Sequence, residues 1–382
     1  MYFNANLQVT INGFPLTTVV SVKINNDSAK VGSYAEIVVP LNSYIAYSNP
    51  NNLTTYLTAI RTDLFPQGSR LTVIASYEGY DNQTVFDGFV YDFILGQPLT
   101  IKAADYIYLL NLNVFGSQNV KVTNKSGTKI KDSGKGVNYP SVTLVTLLQQ
   151  LIAFTNSVIQ SELPTNTPPL LELTLPVPGI TFQNLTFVSM SPAAILEYLK
   201  KNLYFNITLF NNKLYVNLAS NTLASVPLAT ITNVIKSSLQ KNTTVFERIR
   251  MKAWFINTNG TRSYFEVGDI NGQQKECFFY AVKNVGDQYA TLANQALLQA
   301  QQRHYRGELT TLLYPFVDLY YKIPYSDARY PEKNGNYVVI GVEITLNESG
   351  FHRKLKLAYL DNATYTFLST SGQTVIQSGN SL

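Results

Sequence analysis

His304, His352, Cys277 and the carboxylates Asp87 and Asp92 are the side chains best placed by type and spacing to do chemistry in this chain. The two histidines are the only ones present. His304 stands at the end of an expected helix, beside Arg303 and Arg306. An imidazole there caps helix carbonyls more readily than it takes a proton from a substrate. His352 sits in Phe351-His352-Arg353-Lys354, where neighbouring cations oppose its protonation. Asp87 and Asp92 flank Phe89 and Tyr91, the kind of pair a glycosidase needs if one acid is raised by an apolar pocket and the other stays ionised. Rim positions on a strand account for them equally well.

Cys277 lies in the strand-like run Glu276-Cys277-Phe278-Phe279 and is the only cysteine. It is read as a buried structural thiol, and neither an intramolecular disulfide nor a cysteine zinc cluster can form. Histidines and acids show no metal-ligand spacing, and GxGxxG, Walker-A and GxSxG signatures are missing. The sequence therefore leads us to expect no enzyme, no cofactor and no metal site.

One segment is chemically distinct. Residues 116–140 (GSQNVKVTNKSGTKIKDSGKGVNYP) carry Lys121, Lys125, Lys129, Lys131 and Lys135 against a single acid, Asp132. Such a basic loop can face nucleic acid or an acidic partner. The preferred reading of these residues is nevertheless a mobile, solvated surface loop or β-hairpin.

The elements around these residues are β-rich at both ends. Leu7, Val9 and Ile11 alternate with polar neighbours, as do Val20, Val22 and Ile24, and Leu71, Val73 and Ala75. Period-two alternation packs one face and leaves the other wet or in contact with a neighbour. Thr84–Leu112 reads as a strand Val85–Phe93, a turn at Gly96-Gln97-Pro98, a strand Leu99–Ala103, and a short helical piece Tyr106–Leu110 opened by Asp105. Helices are expected in the middle. Ser141 would cap one whose apolar stripe is Leu144, Leu147, Leu148 and Leu151. Ser191 would cap another, with Pro192 in its first turn and Ile195, Leu196 and Leu199 on one face. Between them Pro164–Pro178 must be extended or irregular. Tyr204–Phe210 and Lys213–Asn217 form a hairpin about Asn211-Asn212. Val245–Phe255, Ser263–Gly268 and Gln274–Val282 are strand candidates, followed by a helix capped by Asp287. Leu309–Leu313, Tyr337–Leu346, and the alternating Leu355, Leu357 and Tyr359 return to β structure.

At 382 residues the chain is long enough for about two to three domains. Hydrophobic residues make up an ordinary 45%, but charged residues only 14%, against roughly 25% in typical globular proteins. Asn, Thr, Ser and 26 tyrosines take their place. Neutral polar and aromatic surfaces suit coverage by partners, although an Asn- and Tyr-rich host composition gives the same bias. The net charge of +5 does not by itself argue for nucleic acid. No membrane span is expected, because no apolar run reaches the ~18 residues required. MYFNANLQVTING has neither the basic nor the apolar region of a secretory signal, so Asn-X-Ser/Thr sequons such as Asn124-Lys125-Ser126 are read as by-products of composition.

Several segments also match one family in order. Val19–Asn25 with Ala35-Glu36-Ile37-Val38-Val39-Pro40 resembles its opening strand pair. Val85-Phe86-Asp87-Gly88-Phe89-Val90 with Pro98-Leu99-Thr100-Ile101 and Ala104-Asp105 resembles its strand, glycine, strand and acid segment. Ser191-Pro192-Ala193-Ala194-Ile195-Leu196 leading to Lys213-Leu214-Tyr215-Val216 resembles its central helix and hairpin. Ala290–Tyr305, Gly307 and Leu309-Thr310-Thr311 resemble its junction into a barrel strand. Asn334-Gly335-Asn336-Tyr337-Val338-Val339 and Arg353-Lys354-Leu355-Lys356-Leu357 resemble its closing pair. The chain thus resembles, over Val19 to Leu360, the tail hub (baseplate hub) proteins of tailed bacteriophages. These are related to the late control D family and to the N-terminal part of type VI secretion spike proteins.

The resemblance implies a β-rich α+β chain with two small antiparallel β-barrel domains joined by a mixed region with helices. Residues 1–112 would be the N-terminal barrel and 113–243 the middle region with the basic loop. Residues 244–361 would be the second barrel with helix 287–305, and 362–382 a polar tail. It further implies a homotrimer that adapts a six-fold tail tube protein to a three-fold central spike or fibre protein. Such a protein is made in the host bacterial cytoplasm and resides in the virion tail, with DNA passing transiently through the ring lumen near the lysine loop. No segment looks like the inserted lysozyme domain some hubs carry. The alternative is a β-barrel receptor- or carbohydrate-binding tail module, and a cell-wall hydrolase is a third reading.

Overall fold

The computed structural model describes residues 5–16, 18–40, 67–94, 96–116, 118–123, 129–162, 168–217, 223–229, 234–239, 249–256, 261–283, 287–302, 307–348 and 350–359. His304, Lys125, residues 245–248 and the 362–382 tail lie outside them.

The first third is all strand until its end: β1 (Ala5–Ile11), β2 (Phe14–Pro15), β3 (Ser21–Asp27), β4 (Ser33–Val39), β5 (Arg70–Tyr77), β6 (Gln83–Ile94), β7 (Leu99–Ala104), then α1 (Ile107–Asn111). The alternating residues face inward as their period requires: Val9, Ile11, Val22, Ile24, Leu71 and Val73 are buried. Val20 departs from this pattern, being exposed just ahead of β3.

The middle runs β8 (Gln118–Thr123), β9 (Lys129–Thr143), α2 (Leu144–Glu162), β10 (Glu172–Leu173), β11 (Thr181–Val188), α3 (Pro192–Leu203), β12 (Asn206–Phe210), β13 (Lys213–Asn217), β14 (Leu228–Ala229) and β15 (Val234–Ser237). The Ser191 hydroxyl accepts from the Ala194 amide at 3.2 Å with Pro192 in the first turn, the arrangement that satisfies an orphan amine at a helix start. The other expected cap is displaced. Ser141 is paired in β9 opposite Gln183, and Thr143 Oγ1 accepts from the Thr146 amide at 3.2 Å instead. Strand pairing with β11 carries β9 past Ser141, so the first free hydroxyl before the apolar stripe becomes the cap. Asn211 holds φ +51° in the β12–β13 turn.

The last third contains β16 (Ile249–Ile256), β17 (Arg262–Gly268), β18 (Gln273–Tyr280), α4 (Gln288–Gln302), β19 (Glu308–Thr311), β20 (Lys322–Ser326), β21 (Gly335–Asn347) and β22 (Gly350–Tyr359). The fold is therefore β-rich with few helices, as expected.

Its two ends are joined in a single 13-stranded sheet. The hydrogen-bonded path is β15-β19-β22-β21-β3-β4-β7-β6-β5-β1-β2, with β20 paired to β21 and β14 to β20. The link is antiparallel pairing of β3 with β21, Ile24 opposite Ile344 and Val22 opposite Leu346. Among the described residues no sheet closes on itself. Three smaller sheets stand apart: β10-β13-β12, β11-β9-β8 and β17-β16-β18.

Two cores follow from this. One lies on the large sheet and gathers Val22, Ile37, Val73, Ile101, Ile323, Val339, Leu346 and Leu355. The other joins the helices to the small sheets: Leu147, Leu151, Leu196, Leu199, Ile207, Phe255, Phe279, Leu292 and Leu297. Strands β16–β18 and helix α4 thus share their core with the middle of the chain. Among the described residues no helix is long and apolar enough to cross a membrane.

Candidate functional site

The residues that could have done chemistry are placed apart and occupied. Asp87 is held by Arg70, whose Nε and Nη2 donate to its two oxygens at 2.9 and 2.7 Å. Asp92 is half-exposed and meets Lys102 at 3.7 Å. The two carboxylates stand against different strands, β5 and β7, and do not form a paired acid site. His352 lies in β22 opposite Thr345.

Cys277 is buried against the α4 side of the small sheet, and burial pushes its thiol up to about 12. Only the thiolate is nucleophilic, so this cysteine should be inert. In native protein at pH 8, a chromogenic disulfide reagent should label Cys277 negligibly over an hour, and fully after unfolding. Stoichiometric native labelling would show that the β18 face opens.

The lysine segment is not an irregular loop. Gln118–Thr123 and Lys129–Thr143 pair as an antiparallel hairpin, with Lys135 opposite Asn119, Lys131 opposite Val122 and Lys129 opposite Thr123. Lys121 lies in β8, and β9 pairs on its other edge with β11. The hairpin thereby gathers the lysines Lys121, Lys129, Lys131 and Lys135 onto two adjacent strands of one small sheet.

A polar seam lies where the large sheet meets the helical region, and Asp105 is its centre. Asp105 is buried, and its Oδ2 accepts from the Ser33 amide at 2.6 Å and the Ser33 hydroxyl at 3.0 Å. Its Oδ1 accepts from the Ile107 amide at 2.9 Å. One carboxylate thus ties the start of β4 to the first turn of α1. Burial pushes this carboxyl up to about 6, against the lowering effect of those hydrogen bonds. Gly32, at φ +90°, makes the fit possible: a Cβ there would stand 2.6 Å from Asp105 Oδ1 and 2.7 Å from Ile107 Cβ. Gly88 serves the same corner, since a Cβ would strike the Ala104 carbonyl and Phe86. The sequence pattern of glycine, strand and acid is therefore a corner whose parts touch.

Across the seam, Asp318 Oδ1 accepts from Asn26 Nδ2 at 3.2 Å and from the Leu319 amide at 2.6 Å. Desolvation raises its carboxyl as well. Arg353 is 1% exposed, although the sequence places it in a basic run. Its Nε donates to Thr311 Oγ1 and its Nη1 to the Leu313 carbonyl, both at 3.1 Å. Burial lowers its guanidinium to about 10, while Asp318 pulls the other way. The signal for burial was the alternation itself, because Phe351, Arg353, Leu355 and Leu357 share one face of β22.

Aromatic residues supply the other distinctive surface. On the side of the β17-β16-β18 sheet facing away from α4, Tyr264, Trp254 and Phe278 stand in register across the three strands. The Trp254 and Tyr264 rings lie 5.3 Å apart and Lys252 sits 4.4 Å above both. Phe278 and Tyr280 are exposed.

This arrangement of one long mixed sheet, helical inserts and small satellite sheets matches solved proteins nearly end to end. A tail protein from Neisseria meningitidis superposes with TM-score 0.57 at 11% identity, over 95% of this chain and 98% of that one. The chain has the fold of phage tail proteins. A 43 kDa tail protein of prophage MuSo2 from Shewanella oneidensis shares the tail-protein fold with TM-score 0.55 and 13% identity, over 93% and 96% of the two chains. So does an E. coli component of the type VI secretion system, described as structurally similar to the T4 bacteriophage tail proteins gp27 and gp5. There the TM-score is 0.54 at 8% identity, over 93% of this chain and 77% of that one. No protein-family model matches the sequence, and no curated protein matches it.

Proposed function

We propose that this chain is a structural hub of a phage tail or baseplate, a trimeric adaptor between a six-fold tail tube and a three-fold central spike or fibre. The observation that carries the reading is the match to tail proteins over nearly the full length of both chains. A charged fraction of only 14% and a row of exposed aromatics support surfaces that are covered on assembly. Closed symmetric association would provide that cover. In this proposal residues 1–112 and 244–361 supply the two small barrels, 113–243 lies between them, and 362–382 forms a tail beyond. The protein is made in the bacterial cytoplasm and ends in the virion tail. The lysine hairpin, with Lys121, Lys125, Lys129, Lys131 and Lys135, would line or approach the lumen through which DNA passes. No step of this function is enzymatic.

Light scattering on the size-exclusion peak tests it: the expected result is a particle of three chains that appears as a ring by electron microscopy. A stable monomer at tens of micromolar would sink the adaptor reading. A second reading, a receptor- or carbohydrate-binding tail module, is favoured by the Tyr264–Trp254–Phe278 row, because aromatic side chains on the outer face of a sheet can stack on a ligand. A monomer that binds glycans, and loses binding on Trp254→Ala, would establish that reading instead.

A further inference from the structure

The seam between the large sheet and the helical region encloses a cavity of about 40 Å³, lined by Asn26, Asp105, Asp318 and Asp87 among apolar neighbours such as Phe86 and Leu209. The acceptor capacity of these groups is unequally used. Each carboxylate oxygen can take two hydrogen bonds. Asp105 Oδ2 takes two and its Oδ1 one. Asp318 Oδ1 takes two, which leaves its Oδ2. Both oxygens of Asp87 are engaged by Arg70.

Asn26 decides the matter. It is 7% exposed, its amide nitrogen is committed to Asp318, and its Oδ1 is a buried acceptor without a partner. A buried carbonyl left unpaired carries its full desolvation cost. Turning the amide over would set that oxygen against the Asp318 carboxylate. What is missing at Asn26 Oδ1 is therefore a positive group or donor, in a cavity that the Asp105 and Asp318 carboxylates also line.

The charges point the same way. Asp87 is balanced by Arg70, and Asp318 faces Arg353, whose own hydrogen bonds go to Thr311 and Leu313. Asp105 has no cation assigned to it. All the available donors are hard oxygens, with no nitrogen or sulfur, which selects calcium-like cations over transition metals. A site with three protein side chains needs waters to complete six or seven ligands. The cavity has room for about three small occupants, an ion and two waters, at the ~10–15 Å³ each requires, and bidentate carboxylates supply the remaining ligands.

We propose that Asn26 Oδ1 and the carboxylates of Asp318 and Asp105 bind a calcium ion in this cavity, fastening the large sheet to the helical region. The site is independent of the adaptor reading and would exist in a monomer or a trimer. Its two carboxylates and one amide also explain why no cluster of three histidine, cysteine or acidic ligands is found among the described residues.

The test uses the full chain, stripped with a chelator and dialysed against calcium chloride at constant ionic strength. Bound metal is measured by elemental analysis and thermal stability by the melting temperature. The wild type should hold one calcium per chain and melt higher with calcium than without it. Asn26→Leu and Asp318→Asn should each weaken binding at least tenfold and lose the calcium-dependent rise. Asn26→Leu removes the acceptor together with the amide's hydrogen bond to Asp318 but keeps both carboxylates, so it remains informative if Asp318→Asn does not fold. No calcium on the wild type at millimolar concentration overturns the proposal, as does full binding by both variants. A melting temperature raised only by acidification would show that a proton fills the place, and that too would overturn it.

Discussion

Arg353→Ala should destabilise the protein by about 3–5 kcal/mol, the range found when one member of a buried charged arrangement is removed. The side chain is 1% exposed and is the largest of the fully buried ones. Alanine deletes the donors to Thr311 Oγ1 and the Leu313 carbonyl, and leaves Asp318 without the guanidinium that favours its charged form. It also opens a void within the core of the large sheet, beside Tyr77, whose hydroxyl donates to the Phe351 carbonyl at 2.8 Å. Arg353→Met keeps most of the volume and spares the cost of desolvating a cation, so the loss should fall to about 1–3 kcal/mol from the unpaired acceptors alone. Urea unfolding with unchanged m-values would give both numbers. If alanine and methionine cost the same, the volume of the side chain contributes nothing and the loss lies in the guanidinium's hydrogen bonds and charge; if methionine costs nothing, the side chain contributes volume alone. If neither costs more than about 1 kcal/mol, the burial of Arg353 is wrong.

What was legible in the sequence is what local chemistry dictates. Ser191 with Pro192 announces a helix start because a free amine needs an acceptor and the first turn tolerates proline, and both are used as read. Asn211-Asn212 announces a turn because asparagine tolerates positive φ, and Asn211 adopts it. Ser141 misled for a non-local reason: seven residues of β9 pair with β11, and that ladder outweighs one hydroxyl's capping preference. The join of the two ends of the chain was not legible at all. Val22, Ile24, Ile344 and Leu346 each show the correct period, but alternation says which face is buried and not which strand is adjacent. The burial of Arg353 was not read from the sequence, where it stands between His352 and Lys354. Its parity with Leu355 and Leu357 carried that message. The satellite core of β16–β18 with α4 shows the same limit, because apolar stripes on α4 fit either core equally well.

Asp105→Ala should cost about 2–5 kcal/mol, because it strips acceptors from two backbone amines at once. The Ser33 and Ile107 amides both donate to this carboxylate. Gly32 leaves no side chain to fill the gap, and its positive φ keeps the β3–β4 turn from relaxing toward it. Asp105→Asn restores one oxygen but turns an NH2 group toward one of the two donors, so its cost should lie lower, at about 1–3 kcal/mol. The order alanine worse than asparagine is itself diagnostic. Relief of a buried charge alone would favour both variants over the wild type, because burial is what pushes the Asp105 carboxyl up to about 6. Measurements belong in chelator-containing buffer, so that any cation in the adjoining cavity does not enter the comparison. Amide exchange gives the local readout: protection at Ser33 and Ile107 should collapse in Asp105→Ala while Ile37 and Ile101 in the neighbouring strands exchange only through global unfolding. Ser33→Ala in the Asp105→Ala background should add little, since the hydroxyl has already lost its acceptor. Additive losses would mean that Ser33 and Asp105 do not act as one unit, and that the corner between β4 and α1 is held by packing rather than by this carboxylate.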